Sequence, residues 1–315
     1  MKRILLTMML GIGILSFAQG KKSGKIAQKY IVNKIKNYNP TDLVPYSKDG
    51  KKWALMDVKS RKILTDFVLS WPSTFKPKIY LSMEAEKKII AMELASDYTI
   101  LEPKLKILPG PEIKRPIKIN TPGFQMDDHG KIVSHHADYE YISSPILYKG
   151  EYYIVVTKKD KTNMLINQKG EEKEGFRFKE ISDIYYKDRE TGENVFYVED
   201  FEEKKGFITI SGKKKLYGEL LQGVYSGVLG YSLQKNAHHL SEIKKSGVVD
   251  ITTQEWVIKP QEKYKIYDIV YTSLEEINFL TARDRNKATV YFLATDQSGQ
   301  HFVLDIKGKP ILPKE

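Results

Sequence analysis

The chain has 315 residues, no cysteine and a formal net charge of +11 at pH 7. The lack of cysteine excludes disulfide bonds, thiol chemistry and zinc sites with cysteine ligands. The positive charge favours an acidic surface or a polyanion as a partner. A count of 20 tyrosines favours strands over helices, because tyrosine suits a half-buried pleated surface with one wet side.

The first 18 residues have the pattern of a secretory signal peptide. Lys2 and Arg3 precede an apolar run over residues 4–17, and small residues flank Phe17 before the expected cleavage after Ala18. The run is too short to span a membrane. Loss of the two basic residues would lower the formal charge from +11 to +9. We therefore expect an exported chain without a transmembrane span, in the periplasm, on the cell surface or secreted; the alternative is a buried N-terminal helix.

Residues 19–45 form a basic segment ahead of the first expected strand. Four early lysines are candidates for contact with an anionic surface: Lys21, Lys22, Lys25 and Lys29. Apolar residues recur near helical spacing, which predicts a short amphipathic helix; they are Ile26, Tyr30, Ile31 and Ile35. Such a helix can lie on anionic lipid or polysaccharide. The alternative is that it packs its apolar side against the first repeat and leaves its lysines in solvent.

A short motif recurs six times between residues 53 and 308. Each copy is a small apolar strand, then a side chain that accepts hydrogen bonds, then a turn residue three or so positions later. The copies are Trp53–Asp57 with Ser60, Phe124–Asp127 with Gly130, Met164–Asn167 with Gly170, Phe207–Thr209 with Gly212, Val248–Asp250 with Thr253, and Phe302–Asp305 with Gly308. Asp and Asn bond nearby backbone groups in turns, and Gly adopts positive φ. From Asp127 to Asp250 the copies are about 40 residues apart, a period typical of repeat arrays and propellers.

Further strand-like segments follow each copy. A second short strand comes after the turn, as at Trp256–Ile258, and an aromatic, β-branched strand precedes the next copy, as at Tyr152–Val156. This order predicts a β-meander repeated over residues 46–315. The predicted fold is mostly β, with its units in a propeller-like ring or an open β-array. The alternative is a non-repetitive β protein whose strands happen to look alike.

Residues 82–122 interrupt the repeats and account for the long gap between the first two copies of the motif. Ser82 is a good N-cap residue, and the helix-forming residues that follow it to Ala95 predict one short helical insertion. The prolines of residues 102–122 predict an extended connection. A second insertion near residues 272–287 lengthens the last full unit. Insertions on a regular scaffold can build a binding face or merely decorate it.

The segments Lys51–Asp57 and Gly247–Asp268 resemble a known family. The first reads Lys-Lys-Trp-Ala-Leu-Met-Asp, and the second contains Val-Val-Asp, Val-Ile-Lys-Pro and Tyr-Asp. Both are similar to the unit of the WG-containing repeat family, which runs roughly Gly-Lys-Trp-Gly-Leu-Ile-Asp, then a Gly turn, then Val-Ile-Pro and Tyr-Asp. The resemblance reaches Pro313, but Ala54 stands where the family has Gly, and the other copies carry Phe, Met or Val in place of Trp.

The motif of that family is structural, so the resemblance implies repeat positions and no catalytic residues. The repeat positions of this chain are Trp53, Asp57, Asp127, Gly130, Asn167, Gly170, Gly212, Asp250, Trp256, Asp305 and Gly308. We expect these residues to form the cores and turns of the units.

Catalytic and cofactor-binding motifs are not found in the sequence. It lacks Gly-x-Ser-x-Gly, P-loop, His-Glu-x-x-His and dinucleotide-binding patterns. The densest set of possible metal ligands is Asp127, Asp128, His129, His135, His136 and Asp138. Because His135 and His136 are adjacent, they face opposite sides of a strand and cannot chelate one ion together. We therefore predict no catalytic residue, no metal and no cofactor.

These observations predict an exported, non-catalytic binding or scaffold protein of the bacterial cell envelope. Its expected partner is a protein or glycan of the envelope, and no nucleic acid. Two alternatives remain open: an envelope hydrolase that acts on glycans with carboxylates from different repeats, and a binder of polyanions or anionic surfaces. A pocket with two facing carboxylates would favour the hydrolase, and a continuous surface of Lys and Tyr would favour the binder.

Overall fold

A computed structural model describes residues 24–85, 88–101, 115–187, 193–221, 228–277 and 282–314, and there the chain is mostly β. The chain divides into two compact units. Unit 1 consists of residues 1–106, 263–277 and 286–315, and unit 2 consists of residues 107–262 and 278–285. The signal peptide expected over residues 1–18 lies outside the described residues.

Short strands account for most of the regular structure. In chain order they are β1 (Leu43–Ser47), β2 (Trp53–Asp57), β3 (Lys78–Ala85), β4 (Lys88–Ala95), β5 (Ile100–Leu101), β6 (Ile117–Ile119), β7 (Phe124–Met126), β8 (Ile132–His136), β9 (Tyr139–Ile142), β10 (Ile146–Tyr148), β11 (Glu151–Lys158), β12 (Asn163–Asn167), β13 (Glu172–Phe178), β14 (Glu180–Lys187), β15 (Asn194–Glu199), β16 (Lys205–Thr209), β17 (Lys214–Tyr217), β18 (Tyr231–Lys235), β19 (Ser246–Asp250), β20 (Glu255–Gln261), β21 (Lys265–Ser273), β22 (Ala288–Thr295), β23 (His301–Leu304) and β24 (Pro310–Ile311). Most neighbours pair antiparallel, as in a meander, whereas β6 and β8 are parallel.

Unit 1 contains two groups of strands around one core. In the first group β1 pairs with β2 and β3–β4–β5 follow in order, and Leu69 bridges the two parts through Trp53 on β2 and Met83 on β3. The second group is the four-stranded meander β21–β22–β23–β24. Trp53 and Val303, one from each group, belong to the same buried cluster. The first and last parts of the chain therefore build one core together.

The described residues of unit 2 form four sheets. Their strand orders are β6–β8–β7, β10–β11–β12–β13 with β9 also paired to β11, β14–β15–β16–β17, and β18–β19–β20. A ladder of edge-on aromatic rings crosses from the third sheet to the fourth: Tyr197, Phe207, Tyr217 and Trp256, with successive centroids 5.9, 6.2 and 5.5 Å apart. Edge-on contacts of this kind stabilise beyond area burial alone. The repeat position Trp256, on β20, thus packs its sheet against the neighbouring one.

The repeated motif forms a hairpin turn whose side chain accepts backbone hydrogen bonds. Asp127 Oδ1 accepts from the N–H groups of His129 and Lys131 at 3.0 and 2.8 Å. Equivalent bonds are accepted by Asn167, Thr209, Asp250 and Asp305, whereas Asp57 accepts from the N–H and hydroxyl of Ser60. Positive φ occurs at Gly130, Gly170, Gly212 and Gly308. The N–H of Lys131 is the main reason that the pKa of Asp127 lies below its usual range.

A second set of Asp turns, absent from the sequence motif, lies at the other end of the same strands. Its members are Asp49, Asp160, Asp200 and Asp296, and each accepts the N–H two residues on. In the last unit, Asp296 precedes β23 and Asp305 follows it. The central strand of such a unit is therefore held by a side-chain-locked turn at both ends.

β3 and β4 cover Ser82–Ala85 and Lys88–Ala95 of the segment expected to be helical, so the predicted helix is wrong. β3 and β4 pair residue for residue along their whole length. Buried side chains alternate along both strands: Ile79, Leu81 and Met83, then Ile90, Met92 and Leu94. Burial of these two rows outweighs the helix propensity of the Glu, Lys and Ala residues among them. Of the proline-rich connection, residues 102–114 lie outside the described residues, and Ile117–Ile119 form β6.

The basic N-terminal segment is helical over residues 24–35, and its middle, Gln28–Val32, is a π-helical turn. Ala27, Ile31 and Ile35 recur every four residues and are completely buried in the core of unit 1. This packing fixes the segment by its apolar side. Within the described ranges, no helix is both long and apolar enough to cross a membrane.

Candidate binding surfaces

Lysines cover the outer side of the N-terminal helical segment. Lys25, Lys29 and Lys36 are exposed, and none of them forms an ion pair with a described carboxylate. Lys34, also on this segment, is instead paired with Asp66. We call the three unpaired residues the lysine face. Two other expected contacts lie outside the described residues: Lys21 and Lys22.

Two aromatic rings lie exposed and parallel beside β3. Trp71, in the loop before β3, and Tyr80, on β3, have ring centroids 5.9 Å apart and ring planes 6° from parallel. Trp71 is 42% exposed and Tyr80 is 52% exposed. We call this pair the aromatic face. Contiguous apolar surface left open to solvent often marks an interaction site, whereas single exposed side chains do not.

Charged side chains border the aromatic face in oppositely charged pairs. Lys78 lies two residues before Tyr80, and its Nζ is 2.5 Å from Oε1 of Glu93, the cross-strand partner of Tyr80. Farther along the hairpin, Nζ of Lys52 is 3.3 Å from Oε2 of Glu84. The hydrogen bond to Glu93 raises the pKa of Lys78, so this lysine stays charged at neutral pH. The border therefore offers both donors and acceptors without a large net charge.

Sequence reasoning did not single out either ring. Trp71 stands in a Ser-Trp-Pro-Ser stretch without a repeat signature, and Tyr80 comes just before the segment assigned to a helix. One signal was available, because Tyr80 stands between Ile79 and Leu81 and so falls on the outer side of a strand. The stacking of Trp71 on Tyr80 depends on the path of the intervening chain, which no local pattern specifies.

The second predicted insertion ends in an ion pair within unit 2. Nη1 and Nη2 of Arg285 lie 2.7 and 2.9 Å from the two carboxylate oxygens of Asp250. Its other donors reach the backbone C=O groups of Leu229 and Gly230, and the guanidinium carbon lies 4.2 Å from the ring centroid of Tyr231. All three guanidinium nitrogens are thus engaged. We call the ion pair of Arg285 and Asp250 the clamp. The carboxylate of Asp250 takes part in the clamp and also accepts the hydrogen bonds of its own turn.

The histidines near Asp127 do not assemble into a metal centre in the described part of the chain. His129 is exposed in the turn, whereas buried His135 stacks on Tyr139 with centroids 6.4 Å apart. Nδ1 of His136 accepts the backbone N–H of Asp138 at 3.2 Å. No group of three or more His, Asp or Glu side chains able to hold a metal occurs among the described residues.

The chain matches no protein-family model and no curated protein sequence. Several solved structures are similar to it. A protein of unknown function from Bacteroides caccae is 12% identical over 86% of this chain and 92% of its own, with a TM-score of 0.25. The β-propeller domain of Myceliophteria thermophila Cps50 (Swd1) is 10% identical over 84% and 80%, with a TM-score of 0.27. BBS1N, solved in complex with ARL6DN, is 12% identical over 86% and 80%, with a TM-score of 0.28. TM-scores this low establish neither a shared fold nor a function.

A buried histidine lies between the first hairpin and the last sheet of unit 1. Nδ1 of His301, on β23, is 3.0 Å from the hydroxyl of Tyr267, and its ring meets Trp53 edge-on at 6.1 Å. A Cβ at Gly50, in the turn between β1 and β2, would come within 2.4 Å of the imidazole. Burial lowers the pKa of His301, while the carboxylate of Asp49 acts in the opposite direction.

We expect protonation of His301 to lower the stability of the protein as the pH falls from neutral. In the unfolded chain a histidine binds its proton near pH 6.5, whereas the buried imidazole binds it only at lower pH. Protons therefore favour unfolding between these two values, and the contribution of His301 is complete only above about pH 6.5. Urea midpoints measured from about pH 5 to about pH 8 report this slope.

The matched controls change a buried and an exposed histidine separately. His301→Gln is expected to remove its part of the slope between pH 5 and pH 8. His129→Gln changes an exposed histidine in a turn and should leave the slope as in the wild type. A slope that persists unchanged in the His301→Gln variant contradicts the assignment.

Proposed function

We propose that this chain is an exported, non-catalytic binding or scaffold protein of the bacterial cell envelope, built from WG-like β-repeats. We propose further that its lysine face contacts an anionic polymer or surface. The observation that carries the proposal is the N-terminal helical segment, which is fixed in the core of unit 1 by one side and presents Lys25, Lys29 and Lys36 on the other.

The way the segment is held supports this contact. Because Ala27, Ile31 and Ile35 are completely buried, the backbone that carries the lysines is already ordered before any ligand arrives. Lys34 is neutralised by Asp66, whereas the lysine face has no such partner among the described residues. Lysine ammonium groups attract phosphate, sulfate or carboxylate as flexible point charges. The lysine face is therefore suited to an anion supplied from outside the chain.

We expect retention on an anionic polymer to depend on the lysine face and on salt. Immobilised dextran sulfate is a suitable probe, eluted with a salt gradient. A variant with Lys25, Lys29 and Lys36 all changed to Gln should elute at clearly lower salt than the wild type. Attraction between exposed charges weakens with salt, because it is screened beyond a Debye length of about 8 Å at physiological ionic strength.

The control removes the same charge elsewhere. Lys213, Lys214 and Lys259 are exposed in unit 2, and their triple change to Gln should elute close to the wild type. Equal elution of the two triple variants would show that only net charge matters and would defeat the assignment to the lysine face. Absent or salt-independent retention of the wild type would defeat the anionic partner as a whole.

Two other parts of the proposal have separate tests. Export requires cleavage after Ala18, which N-terminal sequencing of cell-envelope fractions reads directly. A chain that keeps Met1 and stays in the cytoplasm would contradict export.

For the repeats we propose a propeller-like ring, because early and late strands, such as β2 and β23, share the core of unit 1. Small-angle scattering separates a compact ring from an elongated open array.

A further inference from the structure

We infer that the aromatic face is a binding site for a neutral glycan, with Trp71 and Tyr80 stacked against the apolar faces of sugar rings. The inference goes beyond the anionic contact proposed for the lysine face and does not depend on it. Its basis is the geometry of the two rings, the charge around them and the surface beside them.

The two rings form a preorganised platform. They are 6° from parallel with centroids 5.9 Å apart, so the rings are stacked on each other, and a ligand meets the ring surfaces that this stacking leaves exposed. Tyr80 lies on β3, and its neighbours Ile79 and Leu81 are completely buried on the other side of the strand. Trp and Tyr offer a large apolar ring face with a polar tip and have only two rotatable side-chain bonds to restrict. Little ordering is therefore needed when a ligand binds.

The charge around the rings selects a neutral ligand over an anionic one. Lys78 is paired with Glu93, and Lys52 is paired with Glu84. A polymer rich in phosphate would gain little attraction from either lysine, because both are already paired. It would also meet the two carboxylates. Sugar hydroxyls can donate to these carboxylates and accept from these ammonium groups. The same stacking rings would suit nucleic-acid bases, but the paired lysines do not suit the phosphate backbone.

Exposed side chains of β4 continue on the same side of the hairpin beyond the rings. On the same side of the hairpin, Ala91 is opposite Ser82, and Ile89 is opposite Glu84. Ala91 is small and exposed, and Ile89 is 75% exposed. The open strip thus continues along β4 beyond the Tyr80 position. A chain of sugars can lie along this strip, whereas a single sugar would use only the rings.

Affinity electrophoresis in gels that contain neutral polysaccharides tests the inference. The probes are a β-linked glucan, an α-linked glucan, a mannan and a xylan, each at several concentrations. The wild type should be retarded by at least one of them, with little dependence on salt. Trp71→Ala and Tyr80→Ala should each weaken that binding about tenfold, which corresponds to about 1.4 kcal/mol for the loss of one ring contact.

Matched variants make the result specific. Phe201 is 61% exposed and belongs to unit 2, so Phe201→Ala removes an exposed ring that is not part of the aromatic face and should bind as the wild type does. The lysine-face triple variant should also bind normally, which keeps this test apart from the anionic one. Urea midpoints close to the wild type show that the two ring variants are folded.

Three results would overturn the inference. The first is a wild type that none of the four polysaccharides retards. The second is retardation of the Trp71→Ala and Tyr80→Ala variants to the same extent as the wild type. The third is binding of a single-stranded oligonucleotide that these two changes abolish while glycan binding persists, because the rings would then serve bases instead of sugars.

Discussion

Replacing Trp53 with alanine is expected to lower the free energy of unfolding by about 3–5 kcal/mol, the usual cost of deleting a large core aromatic side chain. Trp53 is 5% exposed, as its alternation with apolar neighbours predicts. Its backbone N–H and C=O both pair with Leu69, and its ring meets His301 edge-on. The substitution would leave a cavity in the core of unit 1. Urea unfolding of the wild type and the variant measures the difference.

Trp71→Ala is the matched control for this effect. The two substitutions delete the same side chain, but Trp71 is 42% exposed. Its loss should change the unfolding free energy by no more than about 0.5 kcal/mol, as for most surface positions. A cost below about 1 kcal/mol for Trp53→Ala would contradict the burial of its ring. The pair also separates stability from binding, because only the Trp71 change is expected to weaken glycan retention.

Replacing Arg285 with alanine is expected to destabilise unit 2 by roughly 3–5 kcal/mol. The side chains of Arg285 and Asp250 are 21% and 14% exposed, so water replaces the lost contacts poorly. The change leaves the Asp250 carboxylate without its cation and leaves the C=O groups of Leu229 and Gly230 without the guanidinium donors. Urea unfolding followed by tyrosine and tryptophan fluorescence measures the loss.

A double-mutant cycle shows whether the clamp is the cause. Asp250→Asn keeps an oxygen for the turn bonds to Thr252 and Thr253 but removes the charge. If Arg285 acts through Asp250, the double variant should be less destabilised than the sum of the single variants by about 1–3 kcal/mol. Arg285→Lys keeps the charge without the two-pronged geometry and should fall between the wild type and Arg285→Ala. Strict additivity of the two changes would contradict the clamp.

The turns were predictable because their chemistry is local. An acceptor side chain at Asp127, Asn167 or Asp305 and a glycine three residues later lie within one short segment, so the sequence contains all the information. In the second set of turns, Asp296 with Gly299 fits that pattern, but the residues after Asp49 and Asp200 do not, so the set as a whole was missed. The turns of the second set share only an Asp side chain that accepts a backbone hydrogen bond just before an apolar strand.

The β3–β4 hairpin and the aromatic face were not predictable in the same way. In the Ser82–Ala95 segment, helix-forming side chains and an alternation of period two compete, and the alternation prevails because it fills the core of unit 1. Arg285 binds Asp250, which lies 35 residues earlier in the chain, and Trp71 stacks on Tyr80 across a loop. Contacts of this kind depend on tertiary packing, which a local motif does not encode.

The shared core of unit 1 has a consequence for the order in which the chain folds. Trp53 and Val303 lie 250 positions apart, yet they belong to one buried cluster. Contacts over such a separation form slowly, and these cannot form before β21–β24 have joined the first strands. Unit 2 is nearly continuous, over residues 107–262, so its paired strands are close to one another in sequence. Loop-closure entropy therefore opposes completion of the unit 1 core more than it opposes the folding of unit 2.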